Sequence, residues 1–108
     1  MSDSVIKYRK ILWNHETGHD KVWVSFTVGP IAYAAWGRRG GKLQFKKHGS
    51  YISPLVKLEQ QKEGKGYKPV DEFLLFTLFP DFKEKVDGEL ILNAIASSSL
   101  GSEMVNGH

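Results

Sequence analysis

The stretch KVWVSFTV, residues Lys21 to Val28, alternates apolar side chains with a second set that includes serine and threonine. Successive side chains of a β-strand point to opposite faces of a sheet, so a period of two predicts a strand here. Gly29-Pro30 is typical of a turn, and the run from Ile31 to Trp36 predicts a strand that returns beside the first. The uniformly apolar face of the first strand consists of Val22, Val24, Phe26 and Val28.

Two further strands extend this hairpin on either side. The run from Val5 to Trp13 is rich in β-branched and aromatic residues, and a polar loop joins it to the hairpin. After the glycine-rich residues 37–41, the run from Lys42 to His48 predicts a fourth strand, with Leu43 and Phe45 on one face. Short loops join the four segments, which predicts an antiparallel β-meander.

A helix is predicted from Ser53 to about Glu63. Ser53 would cap it, and Pro54 suits the first turn, where backbone N–H groups have no partner within the helix. Gly64 suits a left-handed C-cap position. Packed on the meander, this helix would cover its apolar face and complete an α+β fold. The side facing the sheet would carry Leu55, Val56 and Leu58, with Glu59, Gln60 and Lys62 elsewhere.

The composition changes near residue 70, which predicts a domain of residues 1–70 and an acidic extension of residues 71–108. The apolar run from Phe73 to Phe79 fits a buried strand as well as a short buried helix. The segment from Asp87 to Leu100 predicts a helix with Asp87 as its cap. Acidic residues expected on the solvated surface are Asp71, Glu72, Asp81 and Glu84.

The charge is unevenly distributed along the 108 residues. Residues 1–70 carry 13 Lys and Arg and 5 Asp and Glu, whereas residues 71–108 carry 2 and 7, for a net charge of +3. A basic body with an acidic extension is typical of polyanion binders. The absence of cysteine excludes disulfides and thiolate metal sites. Without an apolar leader or membrane span in the sequence, we expect a soluble protein that is cytoplasmic or nucleoid-associated, or nuclear in a eukaryote.

The most basic stretch runs from Trp36 to Lys47 and combines the indole of Trp36 with three glycines and five cationic side chains, without an acid. Cations neutralise phosphates and aromatic rings stack on bases, so the stretch predicts a nucleic-acid interface. The alternative is a solvated loop with a structural tryptophan. Gly37 and Gly40 would take positive φ and let the backbone approach a ligand. The candidate DNA-binding residues are Trp36, Gly37, Arg38, Arg39, Lys42, Lys46 and Lys47.

The motif His15-Glu16-Thr17-Gly18-His19 matches the H-E-x-x-H pattern of zinc hydrolases, in which two histidines one helical turn apart bind the metal. Here the motif lies between two predicted strands and contains Gly18, a poor helix former. We therefore expect a hairpin loop and no metal site. The sequence also lacks a nucleophile elbow and a phosphate-cradling glycine loop, so we predict no catalytic residue, no cofactor and no enzymatic activity.

With the triplet Trp36-Gly37-Arg38, the chain resembles a WGR domain, the module named after this triplet in poly(ADP-ribose) polymerases and in stand-alone bacterial proteins. A strand pair, the triplet, a basic strand, a helix from Ser53 and Lys65-Gly66-Tyr67 occur in the family's order, over about residues 5–70. The turn after the triplet is shorter than in the polymerases, and no catalytic domain accompanies it. The resemblance implies an antiparallel sheet with one helix packed across it.

The resemblance also implies DNA binding, best known at strand breaks, with Trp36 against a terminal nucleotide and Arg38 at the contact with DNA and neighbouring domains. We predict a non-enzymatic module that favours DNA ends or nicks and has little sequence specificity. The alternatives for the two side chains are core packing of Trp36 and pairing of Arg38 with a carboxylate. A rival prediction is a protein-interaction adaptor, in which residues 71–108 dock a partner or a second copy. The acidic extension could also mask the basic face.

Overall fold

The computed structural model describes residues 5–16 and 18–105, with side chains described as far as residue 96. Within that range it contains a five-stranded antiparallel sheet with helices on both of its faces. The predicted α+β class is therefore confirmed. The elements in chain order are β1 (Ile6–Asn14), β2 (Lys21–Val28), β3 (Ile31–Arg38), β4 (Gln44–Gly49), α1 (Ser53–Gly64), β5 (Lys68–Pro69), α2 (Glu72–Leu78) and α3 (Phe82–Val105).

The sheet has the strand order β4-β3-β2-β1-β5, so the predicted four-stranded meander is confirmed. The tight turn at Gly29 and Pro30 pairs Val28 with Ile31 and sets the register of the whole β2–β3 hairpin. The sequence prediction missed β5, which pairs with the end of β1. This strand has only two residues and includes a proline, so it carries no alternating pattern of its own.

The C-terminal face of the sheet, as we call the side covered by α2 and α3, holds the larger core. Phe26 of β2 stacks on Tyr33 at 5.6 Å between ring centroids and meets Phe82 edge-on at 6.0 Å. The prediction that the helix from Ser53 covers this apolar face is wrong. Its cover consists of Leu75, Phe79, Phe82 and Val86, all of them buried.

The opposite side, the α1 face, holds a smaller core in which Leu55 packs against Leu12 and Trp23. Helix α1 lies here because this face also presents large apolar side chains, while α2 and α3 occupy the other side. Glu59 was expected away from the sheet but is only 3% exposed. Its carboxylate accepts hydrogen bonds from Arg9 Nε at 2.9 Å and from Ser25 Oγ at 2.7 Å.

Helix boundaries differ from the predicted ones in several places. Ser53 is not the N-cap of α1: Ile52 occupies that position and no side chain caps the helix. Gly64 ends the helix without positive φ, and Gly66 takes the left-handed conformation instead, with φ of 96°. Asp87 caps nothing, because α3 begins at Phe82 and continues through it.

The apolar run that fitted either a strand or a helix forms α2. Asp71 caps this helix by accepting a hydrogen bond from the N–H of Leu74 at 3.0 Å. Because α2 and the first half of α3 share one hydrophobic core with the sheet, residues 72–90 are packed onto the domain body. Among the described residues, no helix has both the length and the apolarity needed to cross a membrane.

Candidate nucleic-acid interface

Trp36 lies near the end of β3 on the α1 face, directly opposite Trp23 of β2. Trp23 is buried, whereas Trp36 is half-buried and packs against the edge of the smaller core. The indole is therefore neither fully exposed to a ligand nor fully packed in the core. It is anchored in the fold, and part of its surface remains available to a ligand. Tyr67, which follows α1, is half-buried beside it.

Two adjoining depressions share Trp36 and Tyr67, and together we call them the Trp36 cleft. The first encloses about 290 Å³ and the second about 240 Å³. Among the described residues that line them, none is acidic. The charged or titratable side chains beside the two aromatic rings are Lys21, Arg38 and Lys42 in the first depression, and Lys46, His48 and Lys62 in the second.

The predicted site residues separate into two groups. Trp36, Arg38, Lys42 and Lys46 come together in the cleft. Lys47 does not join them: it pairs with Tyr33 across the β3–β4 ladder, which places it on the C-terminal face. The alternation of side chains along β4 thus divides two neighbouring lysines between the two faces.

Arg39 is held by the fold. Its Nε lies 3.0 Å from Asp20 Oδ2, and its guanidinium sits 5.8 Å from the centre of the Trp13 ring. The same carboxylate accepts a hydrogen bond from Trp13 Nε1 at 2.8 Å. A carboxylate at the sheet edge was the expected alternative partner of Arg38; Asp20 pairs with Arg39 instead, and Arg38 faces the cleft.

The two glycines act in different ways. Gly40 has a φ of 75°, as predicted, and lies in the turn after β3. Gly37 does not take positive φ, so that part of the prediction is wrong. A Cβ at residue 37 would lie 3.0 Å from the carbonyl oxygen of Lys42 and 3.3 Å from Leu43 Cδ2. Gly37 therefore permits the close approach of the residues before β4, which places Lys42 in the cleft.

The cations that line the cleft have no acidic side chain among the other described lining residues. Burial lowers the pKa of Lys62 from its usual value of 10.5, and the neighbouring charges of Lys65 and Lys21 lower it further. Burial, followed by the charge of Lys46, lowers the pKa of His48 from 6.5. Burial and neighbouring lysines thus disfavour the charged forms of Lys62 and His48. A bound anion would stabilise these charged forms.

The aromatic side of the cleft is also partly screened from water. Burial raises the pKa of Tyr67 above its usual value of 10.0. Lys62 Nζ lies 5.5 Å from the centre of the Tyr67 ring, a cation–π geometry that holds the ammonium above the aromatic face. Lys62 is therefore positioned at the rim of the second depression, where it can reach a phosphate.

Sequence reasoning missed Lys21, His48 and Lys62 as members of this site. Each of them had a usable signal. The two-residue turn after Val28 pairs Lys21 with Arg38. Lys62 follows Leu55 by seven residues, or about two helical turns, and so shares its side of α1. His48 alternates with Lys46 along β4, which puts both on the α1 face.

The histidine motif between β1 and β2 is not helical, so the predicted hairpin loop is confirmed. The ring of His15 lies 4.0 Å from that of Trp13, centroid to centroid, which assigns it a packing contact. Among the described residues, no group of three His, Cys, Asp or Glu side chains could hold a metal ion. The chemistry that the described site can perform is anion binding and stacking.

Comparisons with known proteins give no family assignment: no family model, no curated protein and no solved structure matches the chain. The likeness to WGR domains therefore rests on the residues themselves. It stays a prediction from the sequence.

Proposed function

We propose that the protein is a WGR-like, non-enzymatic DNA-binding module that binds ends or nicks in preference to continuous duplex. The observation that carries the proposal is the Trp36 cleft, where a half-buried indole is surrounded by cations with no acid among the described lining residues. Such a surface attracts a polyanion, and its aromatic wall favours one that bears stackable rings. We place this function in the cytoplasm or nucleoid, or in the nucleus of a eukaryote.

The charge of the cleft supports binding that depends strongly on salt. Each phosphate neutralised by Lys or Arg releases condensed counter-ions, so the logarithm of the affinity falls with the logarithm of the salt concentration. Contacts from about three to five of the cleft cations correspond to a slope of about −3 to −4.5 on duplex DNA. Affinity in the range of about 10⁻⁴–10⁻⁶ M is typical of such backbone-dominated binding at physiological salt.

The position of Trp36 supports a preference for ends and nicks. In a continuous duplex both faces of each base pair are covered by neighbouring pairs, so a ring recessed beside β4 has no base face to contact. An end or nick exposes a base and a sugar, on which the indole can stack for about 1–3 kcal/mol. The cleft presents its side chains from a sheet face and not from a helix that reads base edges, which supports low sequence specificity.

Fluorescence anisotropy with labelled blunt and nicked duplexes, at two salt concentrations, tests the proposal. Unlabelled closed-circular duplex serves as the competitor without ends. We expect binding at low salt, weaker competition by the closed circle, and losses of about tenfold or more in Trp36→Ala and Arg38→Glu. Absence of binding at low salt, or unchanged affinity in both variants, would contradict the proposal.

Lys46 and Lys47 provide a matched control pair, because they are adjacent lysines that face opposite sides of the sheet. Lys46→Glu should weaken DNA binding by about tenfold and reduce the magnitude of the salt slope by about one. Lys47→Glu makes the same change in net charge and should have a much smaller effect. Equal losses in the two variants would show that total charge, and not the cleft, governs binding.

A second candidate function is a protein-interaction adaptor, favoured by the exposed apolar side chains Ile91, Leu92 and Ile95 of α3, which are 60%, 61% and 55% exposed. The apolar run from Phe73 to Phe79 gives it less support, because Leu75 and Phe79 are buried within the protein. Light scattering of the wild type and of Ile91→Glu/Ile95→Glu distinguishes the two candidates. A DNA-binding module keeps its affinity in this variant; an adaptor that acts through self-association loses its dimer.

Residues 72–90 of the acidic extension pack on the C-terminal face, the side of the sheet opposite to Trp36. A groove beside α3 is lined by Lys42, which precedes β4, and by the carboxylates of Asp81, Glu84 and Glu89. This packing supports a cleft that residues 72–90 leave uncovered. Lys42 is the cleft cation that also lines this groove.

A further inference from the structure

The two depressions of the Trp36 cleft are not equivalent. Lys21, Arg38 and Lys42 bring three cations to the first, where the backbone of Gly37 and Gly41 forms part of the wall. The second has an apolar floor formed by the buried side chains of Trp23 and Ala34. A phosphate suits the first depression, whereas the floor of the second would leave a phosphate oxygen without hydrogen bonds.

The second depression also has the walls that a planar ring requires. Trp36 forms one side and Leu58 of α1 contributes to the lining. Lys46, His48 and Lys62 stand around it, so polar groups are available to the edge of a ring and to the phosphate attached to it. Because Lys62 already lies over the Tyr67 ring, Trp36 is the aromatic surface left for stacking.

We propose that the second depression binds one unpaired nucleobase, stacked on Trp36 above the apolar floor, with its phosphate held by Lys46 and Lys62. This inference rests on the proposed function and narrows it to a substrate class. The preferred DNA end would carry an unpaired nucleotide, as a flap, an overhang or a frayed terminal pair does. Stacking tolerates any base, so the site would recognise the unpaired state and not the sequence.

The test uses three fluorescein-labelled hairpin duplexes that differ only at the end. One is blunt, one carries a single unpaired thymidine, and one carries an abasic analogue of the same nucleotide. The last two have identical charge, so their affinity ratio isolates the base. We expect the thymidine duplex to bind at least about fivefold more tightly than the abasic duplex in wild-type protein.

Leu58→Trp fills the depression without changing any charge and should bring this ratio to about one, because the thymidine duplex then binds no more tightly than the abasic duplex. Leu58→Ala is the control, since it keeps the depression open and should keep the ratio. Circular dichroism establishes that both variants are folded. A second measurement needs no variant: 2-aminopurine as the unpaired base should lose fluorescence on saturation with wild-type protein, because it stacks on the indole.

The outcomes separate this inference from the proposed function. Equal affinities for thymidine and abasic ends, with 2-aminopurine fluorescence unquenched, would overturn the base site while leaving end binding in place. Lack of binding to all three duplexes at low salt would overturn the proposed function itself. A ratio that persists in Leu58→Trp would place the base elsewhere and so contradict the assignment to this depression.

Discussion

The two faces of the sheet are covered by helices in different ways. On the C-terminal face, Tyr8 of β1 contacts Phe76 and Phe82 of the helices, and Phe26 of β2 also contacts Phe82. The buried residues of this cluster include no charged side chain. On the α1 face, Leu55 closes a smaller core, the buried Glu59 binds Arg9, and the surface then opens into the Trp36 cleft. The difference indicates that one face supplies most of the packing energy, which leaves the other able to keep a half-buried ring and uncompensated cations at its edge.

The largest effect should come from breaking the C-terminal face. Phe82 is fully buried and contacts both Phe26 and Tyr8. Phe82→Ala should lower the free energy of unfolding by about 3–5 kcal/mol through lost burial and the cavity left behind. That is a large share of the 5–15 kcal/mol typical of a domain. Urea unfolding followed by circular dichroism measures it.

Phe73 provides the control for this substitution, because it is an α2 phenylalanine that is 80% exposed. Phe73→Ala should change the free energy of unfolding by no more than about 0.5 kcal/mol. Comparable losses at the two positions would mean that α3 does not pack on the sheet as described.

A smaller loss of stability is expected from the polar core of the α1 face. Arg9→Met removes the guanidinium and leaves the Glu59 carboxylate buried, with Ser25 Oγ as its remaining close donor. Removing one partner of a fully buried pair costs about 3–5 kcal/mol, and the partial exposure of Arg9 should reduce this to about 2–3. Urea unfolding again measures the loss.

Glu59→Gln gives the comparison for this pair. The amide can still accept the hydrogen bond from Ser25 and no longer requires a cation, so its cost should be smaller than that of Arg9→Met. The reverse order would indicate that the arginine is mainly solvated and that the carboxylate is stabilised by Ser25 alone.

Strand register was predictable from the sequence, whereas the face that each helix covers was not, and the reason is physical. The turn at Gly29-Pro30 pairs Val28 with Ile31, and the register then follows by counting, so Trp23 opposite Trp36 and Lys21 opposite Arg38 were both predictable. The side that α1 would cover was not, because the sheet is apolar on both faces and alternation alone cannot choose between them. The buried position of Glu59 depends on Arg9, which lies at a register shift in β1 that no local pattern announces.

The candidate site was predictable in part, for the same reason. A run of basic residues does not show which of them share a face. Neighbouring residues of a strand point to opposite faces, so Lys46 lines the cleft and Lys47 lies on the C-terminal face. Arg39 forms an ion pair with Asp20, which lies 19 residues before it in the chain, whereas Arg38 lines the cleft. The cations added by α1 and β2 become neighbours of Trp36 only once the sheet and helix have packed.

The smallest expected effect is a pH dependence of DNA binding that originates on the α1 face. The pKa of His48 is lowered from 6.5 by burial and then by Lys46, and the other charged group of its depression is Lys62. In the free protein His48 is therefore mostly neutral at pH 6.5 and above. A bound phosphate would favour the charged form and raise the pKa of His48. Binding then takes up a proton, so affinity should increase as pH falls from 7.5 to 5.5.

The size of this effect is bounded, because each unit by which binding raises the pKa of His48 adds at most about tenfold in affinity. We expect a gain of a few-fold for wild type, measured by anisotropy in buffers of equal ionic strength. His48→Gln should lose the gain, whereas His19→Gln, an exposed residue of the β1–β2 loop, should retain it. The same lowered pKa means that unfolded chains bind the proton more readily, so stability should fall as pH drops below 6.5 in wild type and fall less in His48→Gln. An affinity gain that survives in His48→Gln would assign it to other groups and remove His48 from the binding surface.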